Sequence, residues 1–317
     1  MSRLWGTALD HIVAVRVVLA DSSIVRASST ENPDVFFAIK GAGAGFGVVT
    51  EFTVLTHPAP AEMVKYSFSI DLGSFRPMAQ TFKNWQNFIA NPDLSRKLYT
   101  QVTLCAIGMI VSGTFFGSEE EFDALNIQSI FPDHRKSKIA VLDDWLGTVA
   151  HWTEDLGLHI VVGIQCAFYS KCLAYKPADL MPPAVIDKLF HYLDTAEKDT
   201  ALWFLNFELQ GGATNDIPAD ATAYVHRDVL LYSESFGIDI GRVDAESRGF
   251  ITGINETITK AMPNSVFGSY PGYVDRELPN GQQSYWGANL PKLERIKRAI
   301  DPKDIFHNPQ SVRPAAS

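Results

Sequence analysis

Four glycines fall within seven residues of this chain, in the run Gly-Ala-Gly-Ala-Gly-Phe-Gly at 41–47. Glycine lets a backbone turn tightly and approach another group closely, so the run is a candidate for binding a nucleotide. It follows a predicted short helix at 35–40 and precedes a predicted strand at 46–56, which is the reverse of the dinucleotide-binding βαβ order. No Gly-Lys-Ser/Thr sequence is present, which excludes a P-loop. The remaining interpretation from the residues alone is a flexible helix-to-strand turn.

The overall charge limits the partners of the protein. Its 317 residues carry 27 Lys and Arg against 36 Asp and Glu, a net charge of −9, and 46% of them are hydrophobic. These values are typical of a globular protein with no general attraction to nucleic acid or anionic membranes. The longest apolar stretch, 102–116, contains polar residues and glycines and is shorter than the ~20 residues of a membrane-spanning helix. We predict two buried strands there, and neither nucleic acid nor a membrane as a partner.

Cysteine and histidine spacing gives no support to metal or disulfide chemistry. Cys105, Cys166 and Cys172 form no Cys-x-x-Cys pair, and the eight histidines show no spacing typical of metal ligands. We therefore predict no metal site and interpret the cysteines as small core residues.

The hydrophobic patterns indicate an α+β fold. Besides a hairpin at 12–27, strands are predicted at 64–70, 98–116 (a hairpin), 163–169, 202–209 and 223–235. Helices are predicted at 75–89, 119–129, 184–196 and 243–261, after Asn289, and around Trp145 and Trp152. Because hairpins and returning helices join the strands without regular βαβ alternation, we expect a largely antiparallel sheet with helices on one face.

Three sequence blocks, distributed over the whole chain, resemble one family of proteins. The first extends from Ser-Arg-Leu-Trp-Gly at 2–6 to Phe-Gly-Val-Val-Thr at 46–50. The second is Phe-Glu-Leu-Gln-Gly-Gly-Ala at 207–213. The third comprises Tyr-Pro-Gly-Tyr-Val-Asp at 270–275, Tyr-Trp-Gly-Ala-Asn-Leu at 285–290 and Asp-Pro-Lys-Asp-Ile-Phe at 301–306. In this order they resemble the berberine-bridge-enzyme-like and glucooligosaccharide-oxidase-like flavoproteins, which have the vanillyl-alcohol-oxidase type of FAD-binding fold.

The resemblance implies a PCMH-type FAD-binding domain that is split by an inserted substrate domain. Residues 1–58 resemble a remaining part of the FAD domain, 59–265 the substrate domain of antiparallel sheet flanked by helices, and 266–317 the C-terminal return. The family attaches FAD through a His in an Arg-Ser-Gly-Gly-His type motif and through a later Cys, and neither motif occurs in this sequence. We therefore expect that roughly the first third of a family member and both covalent anchors are absent, and that the chain alone binds FAD weakly or not at all.

The resemblance also implies roles for individual residues toward the cofactor. The backbones of Gly47, Val48 and Val49 are expected to line FAD. Tyr285 and Asn289 are expected to lie near its isoalloxazine ring.

Catalytic roles follow from the same resemblance. Tyr273 matches the second Tyr of the family's Tyr-x-Asn-Tyr-x-Asp motif, the base in its carbohydrate and alcohol oxidases, although Gly272 stands where the motif has Asn. Glu208 and Asn206 match an inward-facing pair on a strand, where an acidic group can hydrogen-bond the catalytic Tyr and Asn206 can bind substrate. A tyrosine with a pKa near 10 is a poor base unless a neighbour accepts its proton or stabilises its anion. The alternative is a structural Tyr273 and a solvated Glu208.

The predicted function is that of an FAD-linked oxidoreductase. It transfers a hydride from an alcohol, sugar or amine carbon to flavin, and O2 or another acceptor reoxidises the flavin. One alternative is a truncated, non-catalytic binding protein that cannot hold FAD, and another is a flavoprotein that directs a cyclisation. The colour of the purified protein separates the oxidoreductase from the non-catalytic binding protein, because a flavoprotein is yellow. The sequence assigns neither the substrate nor the localisation, and a secreted longer parent protein is compatible with it.

Overall fold

The computed structural model of the protein describes residues 1–132, 135–142 and 166–316. Its strands are β1 (Ile12–Val18), β2 (Ile24–Ser28), β3 (Val48–Val54), β4 (Met63–Ile70), β5 (Leu98–Cys105), β6 (Gly108–Phe115), β7 (Lys136–Leu142), β8 (Cys166–Tyr175), β9 (Leu202–Leu209) and β10 (Leu231–Ile240). Its helices are α1 (Ser2–Trp5), α2 (Pro33–Ala42), α3 (Phe75–Ile89), α4 (Glu119–Ala124), α5 (Pro183–Thr195), α6 (Ala245–Ala261), α7 (Gly281–Trp286) and α8 (Leu290–Ile300).

Two compact units divide the chain. The sheet unit comprises Met1, Pro58–Gln210 and Leu230–Val266, and the terminal unit comprises Ser2–His57, Gly211–Val229 and Phe267–Ser317. The chain enters the sheet unit at Pro58, where the sequence has Pro-Ala-Pro-Ala. Residues 211–229, which the sequence places in the substrate domain, lie in the terminal unit instead. Assigning FAD and substrate to separate domains stays a prediction.

A buried ion pair explains why residues 211–229 belong to the terminal unit. The Arg227 guanidinium donates to the two carboxylate oxygens of Asp10 at 2.9 and 2.7 Å, and both side chains are buried. Asp10 also accepts hydrogen bonds from the backbone N–H and hydroxyl of Thr7. Burial raises the pKa of Asp10, but the hydrogen bonds from Arg227 and Thr7 outweigh it and the pKa is lowered. Arg227 also donates to the carbonyl of Thr214, so the segment is held at several points.

The terminal unit is built on a three-stranded antiparallel sheet in the order β2-β1-β3. Its core combines residues from distant parts of the chain, including Val17, Phe37, Phe46, Trp286 and Leu293. The predicted hairpin at 12–27 and the helix after Asn289 are confirmed.

The sheet unit contains a seven-stranded sheet in the order β7-β4-β6-β5-β9-β10-β8, in which every neighbouring pair is antiparallel. Helix α3 covers one face: the ring of Phe82 meets that of Phe207 on β9 edge to face, with a centroid distance of 4.7 Å, and Trp85 donates to the Thr100 hydroxyl of β5 at 3.1 Å. Side chains alternate between buried and half-buried along β5 and β9. The second face of these two strands therefore carries the half-buried side chains.

Several predicted elements are confirmed, and α3 and β9 have the same bounds as predicted. The predicted strand at 223–235 is wrong over its first half, because Ala223 and Tyr224 donate their backbone N–H groups to the carbonyls of Phe37 and Lys40 at the end of α2. Strand β7 was not predicted. Its sequence, Lys-Ser-Lys-Ile-Ala-Val-Leu, begins with two exposed lysines, as is typical of an edge strand, and it pairs with β4.

Other predictions have mixed outcomes. The apolar stretch 102–116 forms parts of β5 and β6, as predicted. The helix predicted at 119–129 ends at Ala124. The helix predicted around Trp145 and Trp152 lies outside the described residues. In the described part of the chain, no helix is both long and apolar enough to span a membrane.

Candidate functional site

A cleft of about 340 Å³ opens in the terminal unit. The glycine-rich residues 41–45 form one wall, and segments 270–274 and 308–312 contribute others. Aromatic side chains complete it: Tyr224, Tyr285 and Trp286. None of the described residues that line the cleft is charged. The cleft therefore offers backbone, aromatic and amide groups rather than ion pairs.

Gly41 shapes the wall of this cleft. Its φ is +132°, and a Cβ at this position would lie 2.4 Å from the backbone nitrogen of Tyr224, so only glycine fits. Its carbonyl accepts a hydrogen bond from the indole N–H of Trp286 at 3.2 Å. The glycine run thus begins with a kink in the last turn of α2, at Gly41, and lines the cleft.

The lining matches one portion of FAD better than another. A volume of about 340 Å³ lies at the low end for ligand pockets, and aromatic walls suit a planar ring. The pyrophosphate needs cations or aimed N–H donors, and no charged side chain lines the cleft. The aromatic lining therefore fits a planar ring of the cofactor, and the glycine-rich wall offers backbone groups but no cation to its phosphates.

Two residues predicted near the isoalloxazine are buried in the terminal unit. Tyr285 lines the cleft, and its hydroxyl accepts the backbone N–H of Asp275 at 2.8 Å. Asn289 is not among the lining residues, and its amide donates to the carbonyls of Ala219 at 2.7 Å and Thr222 at 3.0 Å. Tyr285 thus lies where a bound ring could contact it, whereas the Asn289 amide holds residues 219–222 in place.

The residues predicted to line FAD with their backbone lie where β3 begins. Gly47 packs closely on β1, because a Cβ there would lie 2.6 Å from Cγ1 of Val17. The Val48 side chain is 54% exposed and Val49 is half-buried. None of Gly47, Val48 and Val49 lines the cleft. Their role stays a prediction.

Tyr273, the predicted base, is half-buried in the terminal unit. Its backbone N–H donates to the carbonyl of Tyr270 at 2.9 Å, and the two rings meet edge to face at 5.1 Å. Tyr270 lines the cleft and also faces the ring of Tyr224 at 6.2 Å. Tyr273 itself is not among the lining residues, whereas Tyr270, which the sequence did not single out, both lines the cleft and contacts Tyr273.

Glu208 and Asn206 lie on the second face of the sheet unit, on β9, and both are half-buried. The Thr103 hydroxyl on β5 donates to Oδ1 of Asn206 at 2.8 Å. Glu208 lies opposite Gln101 of β5 and Tyr232 of β10 in the strand register. Burial raises the pKa of Glu208 above its usual value.

Further hydroxyl and amide groups continue this surface. The Tyr99 hydroxyl donates to Oε1 of Gln101 at 2.8 Å, and the Gln101 amide donates to the Ser112 hydroxyl at 3.3 Å. Burial, followed by the nearby carboxylate of Glu208, raises the pKa of Tyr99. We call this surface the polar face; its residues are Tyr99, Gln101, Thr103, Ser112, Asn206 and Glu208.

The polar face could have been found in part from the sequence. Residues 98–105 read Leu-Tyr-Thr-Gln-Val-Thr-Leu-Cys, and Tyr99, Gln101 and Thr103 are two apart along one strand. The alternation identifies a shared face but not its neighbours. That β5 lies beside β9, which places Gln101 opposite Glu208, follows only from the sheet order.

Metal binding finds no structural support in the part of the chain that the structure describes, where no group of three or more His, Cys, Asp or Glu side chains could hold an ion. The three cysteines are free thiols. Cys172 is buried, as predicted, and Cys105 is half-buried. Cys166 is exposed, so its prediction as a core residue is wrong; it is the first residue of edge strand β8.

Comparison with known proteins agrees with the sequence resemblance. Residues 269–313 match the family model "Berberine and berberine like". Over 320 residues the chain is 36% identical to the FAD-linked oxidoreductase sorD of Penicillium rubens, covering 99% of this chain and 67% of that protein. It is 30% identical to the glucooligosaccharide oxidase of Sarocladium strictum, covering 98% of this chain and 65% of that protein. The chain thus spans about two thirds of the length of these relatives.

Solved structures give the same result. A chitooligosaccharide oxidase superposes with a TM-score of 0.86 at 27% identity, covering 99% of this chain and 69% of that one. A xylooligosaccharide oxidase in complex with xylobiose superposes with a TM-score of 0.84, also at 27% identity, covering 100% of this chain and 69% of that one. Sequence, fold and glycine-lined cleft lead to one conclusion: the chain belongs to the berberine-like family of FAD-linked oxidoreductases, whose cofactor is FAD.

Proposed function

We propose that this protein oxidises a hydroxyl-bearing carbon of a small molecule, with sugars as the first class of substrate to test. The observation that carries the proposal is the polar face of the sheet unit. Hydroxyl, amide and carboxyl groups lie side by side on it, and these groups recognise a polyhydroxylated ligand by hydrogen bonds. The related oligosaccharide oxidases support the same substrate class.

The proposal gives each residue a separate role. Tyr273 is the base, which takes the proton of the substrate hydroxyl as the carbon becomes a carbonyl. Asn206 binds substrate hydroxyls, and Glu208 is the second catalytic group, an acid that can accept and relay a proton. FAD, when bound, supplies the two-electron chemistry, and O2 or another acceptor restores its oxidised form. Gly47, Val48, Val49, Tyr285 and Asn289 remain the proposed cofactor contacts.

The first experiment measures flavin by its visible absorption, before and after addition of FAD, in the purified chain and in a fusion of the chain to the N-terminal third of a family member. The flavin-loaded protein is then mixed anaerobically with oligosaccharides, simple alcohols and amines, and bleaching of the flavin is followed in a single turnover. We expect bleaching by at least one oligosaccharide or alcohol. Weak or absent FAD uptake by the chain alone agrees with the expectation from its sequence. A fusion protein that binds an oligosaccharide but takes up no FAD overturns the proposal in favour of a non-catalytic binding protein.

The second experiment tests the base. Tyr273→Phe should retain flavin and slow its reduction by about 10² to 10⁴, the usual contribution of a positioned general base. Tyr192→Phe is the matched control, because its hydroxyl donates to the Phe250 carbonyl in the sheet unit and has no proposed role in the reaction. Equal reduction rates in wild type and Tyr273→Phe would show that another group is the base.

A further inference from the structure

The segment that carries Tyr273 is fixed at both ends. The backbone N–H of Ser269 donates to the carbonyl of Ser284 at 3.0 Å, and that of Asp275 donates to the hydroxyl of Tyr285 at 2.8 Å. Both partners lie on α7. Between these anchors the Tyr273 N–H donates to the carbonyl of Tyr270, which closes a turn over residues 270–273. The backbone that carries the two tyrosine rings is therefore held in place.

Within the turn, the ring of Tyr270 occupies the space beside Gly272. A Cβ at residue 272 would lie 2.4 Å from Cε1 of Tyr270 and 3.1 Å from Cδ1 and Cζ of the same ring. Real side chains do not approach so closely, so any residue other than glycine forces the Tyr270 ring to move. The absence of a side chain at 272 is therefore a condition for the observed position of this ring.

The Tyr270 ring contacts two other rings. Its edge-to-face contact with Tyr273 has a centroid distance of 5.1 Å and an interplanar angle of 76°. It also meets the ring of Tyr224, which is buried, at 6.2 Å and 77°. Arg227 lies over the ring of Tyr224 at 4.9 Å and is itself held by Asp10. A chain of packed groups thus links the buried ion pair to Tyr273.

We propose that Tyr270 is a positioning residue for Tyr273 and that Gly272 leaves the space that the Tyr270 ring occupies in this protein. Edge-to-face contacts are directional, so the Tyr270 ring selects one orientation of the Tyr273 ring and with it the direction of the phenol oxygen. The inference rests on the proposed function for the role of the Tyr273 phenol as a base. The positioning of the Tyr273 ring by Tyr270 does not depend on that role.

Three variants test the inference. Gly272→Ala inserts the conflicting Cβ, Tyr270→Leu removes the ring, and Tyr270→Phe retains the ring without its hydroxyl. The first readout needs no flavin: the ring-carbon NMR resonance of Tyr273 in protein with labelled tyrosine, assigned with Tyr273→Phe and followed over pH. We expect Gly272→Ala and Tyr270→Leu to shift this resonance and its titration, and Tyr270→Phe to leave both near wild type. Thermal unfolding of each variant verifies the fold.

The second readout is the rate of flavin reduction in the loaded protein. We expect Gly272→Ala and Tyr270→Leu to lower it by about tenfold to a hundredfold, the effect of a small misplacement of a reacting group. The double variant Gly272→Ala/Tyr270→Leu should reduce flavin no more slowly than Tyr270→Leu alone, because the added Cβ of residue 272 then meets no ring. Effects that add, or an unchanged Tyr273 resonance in both single variants, overturn the proposal.

The two proposals fail separately. If Tyr273→Phe leaves flavin reduction unchanged while Gly272→Ala still shifts the Tyr273 resonance, the assignment of the base is wrong and the positioning contact stands. If Gly272→Ala does not fold, the inference is tested by comparing Tyr270→Leu, which removes the ring, with Tyr270→Phe, which retains it.

Discussion

The ammonium group of Lys297 lies 2.6 Å from Oδ2 of Asp301, one helical turn further along the chain, and both side chains are completely buried. The same ammonium donates to the carbonyl of Gly45 at 2.7 Å and to that of Phe306 at 2.6 Å. Asp301 in turn accepts the backbone N–H groups of Ile305 and Phe306. One buried ion pair therefore joins the glycine-rich wall of the cleft to the C-terminal segment.

Breaking this pair should cost far more than breaking an exposed pair of the same spacing. Lys297→Met leaves the Asp301 carboxylate buried without its cation, which we expect to lower the free energy of unfolding by about 3–5 kcal/mol. Lys260→Met is the control, since Lys260 pairs with Glu256 at the same i,i+4 spacing on the surface of α6. It should cost less than about 0.5 kcal/mol. Urea unfolding measures both, and similar midpoints for the two variants would contradict the prediction.

Gly41 should tolerate no side chain. Gly41→Ala places a Cβ against the backbone of Tyr224 at a φ that side chains avoid, so we expect a loss of stability of at least about 1–3 kcal/mol. Gly249→Ala is the contrasting change, because Gly249 lies exposed within α6 and its Cβ would meet nothing within 4 Å. It should stabilise the protein by about 0.5–1 kcal/mol. Thermal unfolding of the two variants should move in opposite directions.

The edge strand β3 should promote self-association. In the described residues it pairs with β1 alone, and its side chains Phe52 and Val54 are 55% and 50% exposed. An exposed apolar edge is a template for pairing with another chain. Phe52→Lys should therefore reduce the mass that light scattering measures at high protein concentration.

The control for this prediction is Ile107→Lys. Ile107 is 74% exposed in the turn between β5 and β6, where no strand edge is available. Ile107→Lys should leave the self-association of the protein unchanged. If Ile107→Lys reduces association as much as Phe52→Lys, added charge rather than the strand edge is responsible.

Glu208 should give the protein a pH-dependent stability. Burial raises its pKa above the usual value of 4.5, so at pH values between 4.5 and the raised pKa the folded state retains a proton that the unfolded state has released. The contribution of Glu208 to the free energy of unfolding has its full value below this pH interval, and it decreases as the pH rises through the interval. Glu208→Gln stays uncharged, and it should become more stable than wild type as the pH rises, with no difference at acidic pH.

Urea midpoints measured from acidic to neutral pH test this prediction. Glu197→Gln, which removes an exposed carboxylate, is the control and should give a curve parallel to that of wild type. A Glu208→Gln curve that is also parallel to wild type would mean that burial does not disfavour the charge of Glu208.

The sequence by itself determined the elements whose signals are local. Helix α3 and strand β9 were predictable to the residue, because their apolar periods, 3.6 and 2, are encoded within a few neighbouring positions. The same alternation places Asn206 and Glu208 on one face without reference to any other strand. Gly41 was recognisable as the end of a helix, and the family as a whole by the order of its motifs.

Tertiary structure alone decided which distant groups meet. The sequence of residues 223–229 is typical of a strand. In the structure, however, the carbonyls of Phe37 and Lys40 on α2 accept hydrogen bonds from the N–H groups of Ala223 and Tyr224. The pair of Arg227 and Asp10 joins positions 217 apart, and the Lys297 contact to Gly45 joins positions 252 apart. Local preference cannot encode such contacts, because a buried charge is stable only where the rest of the chain brings its partner and excludes water.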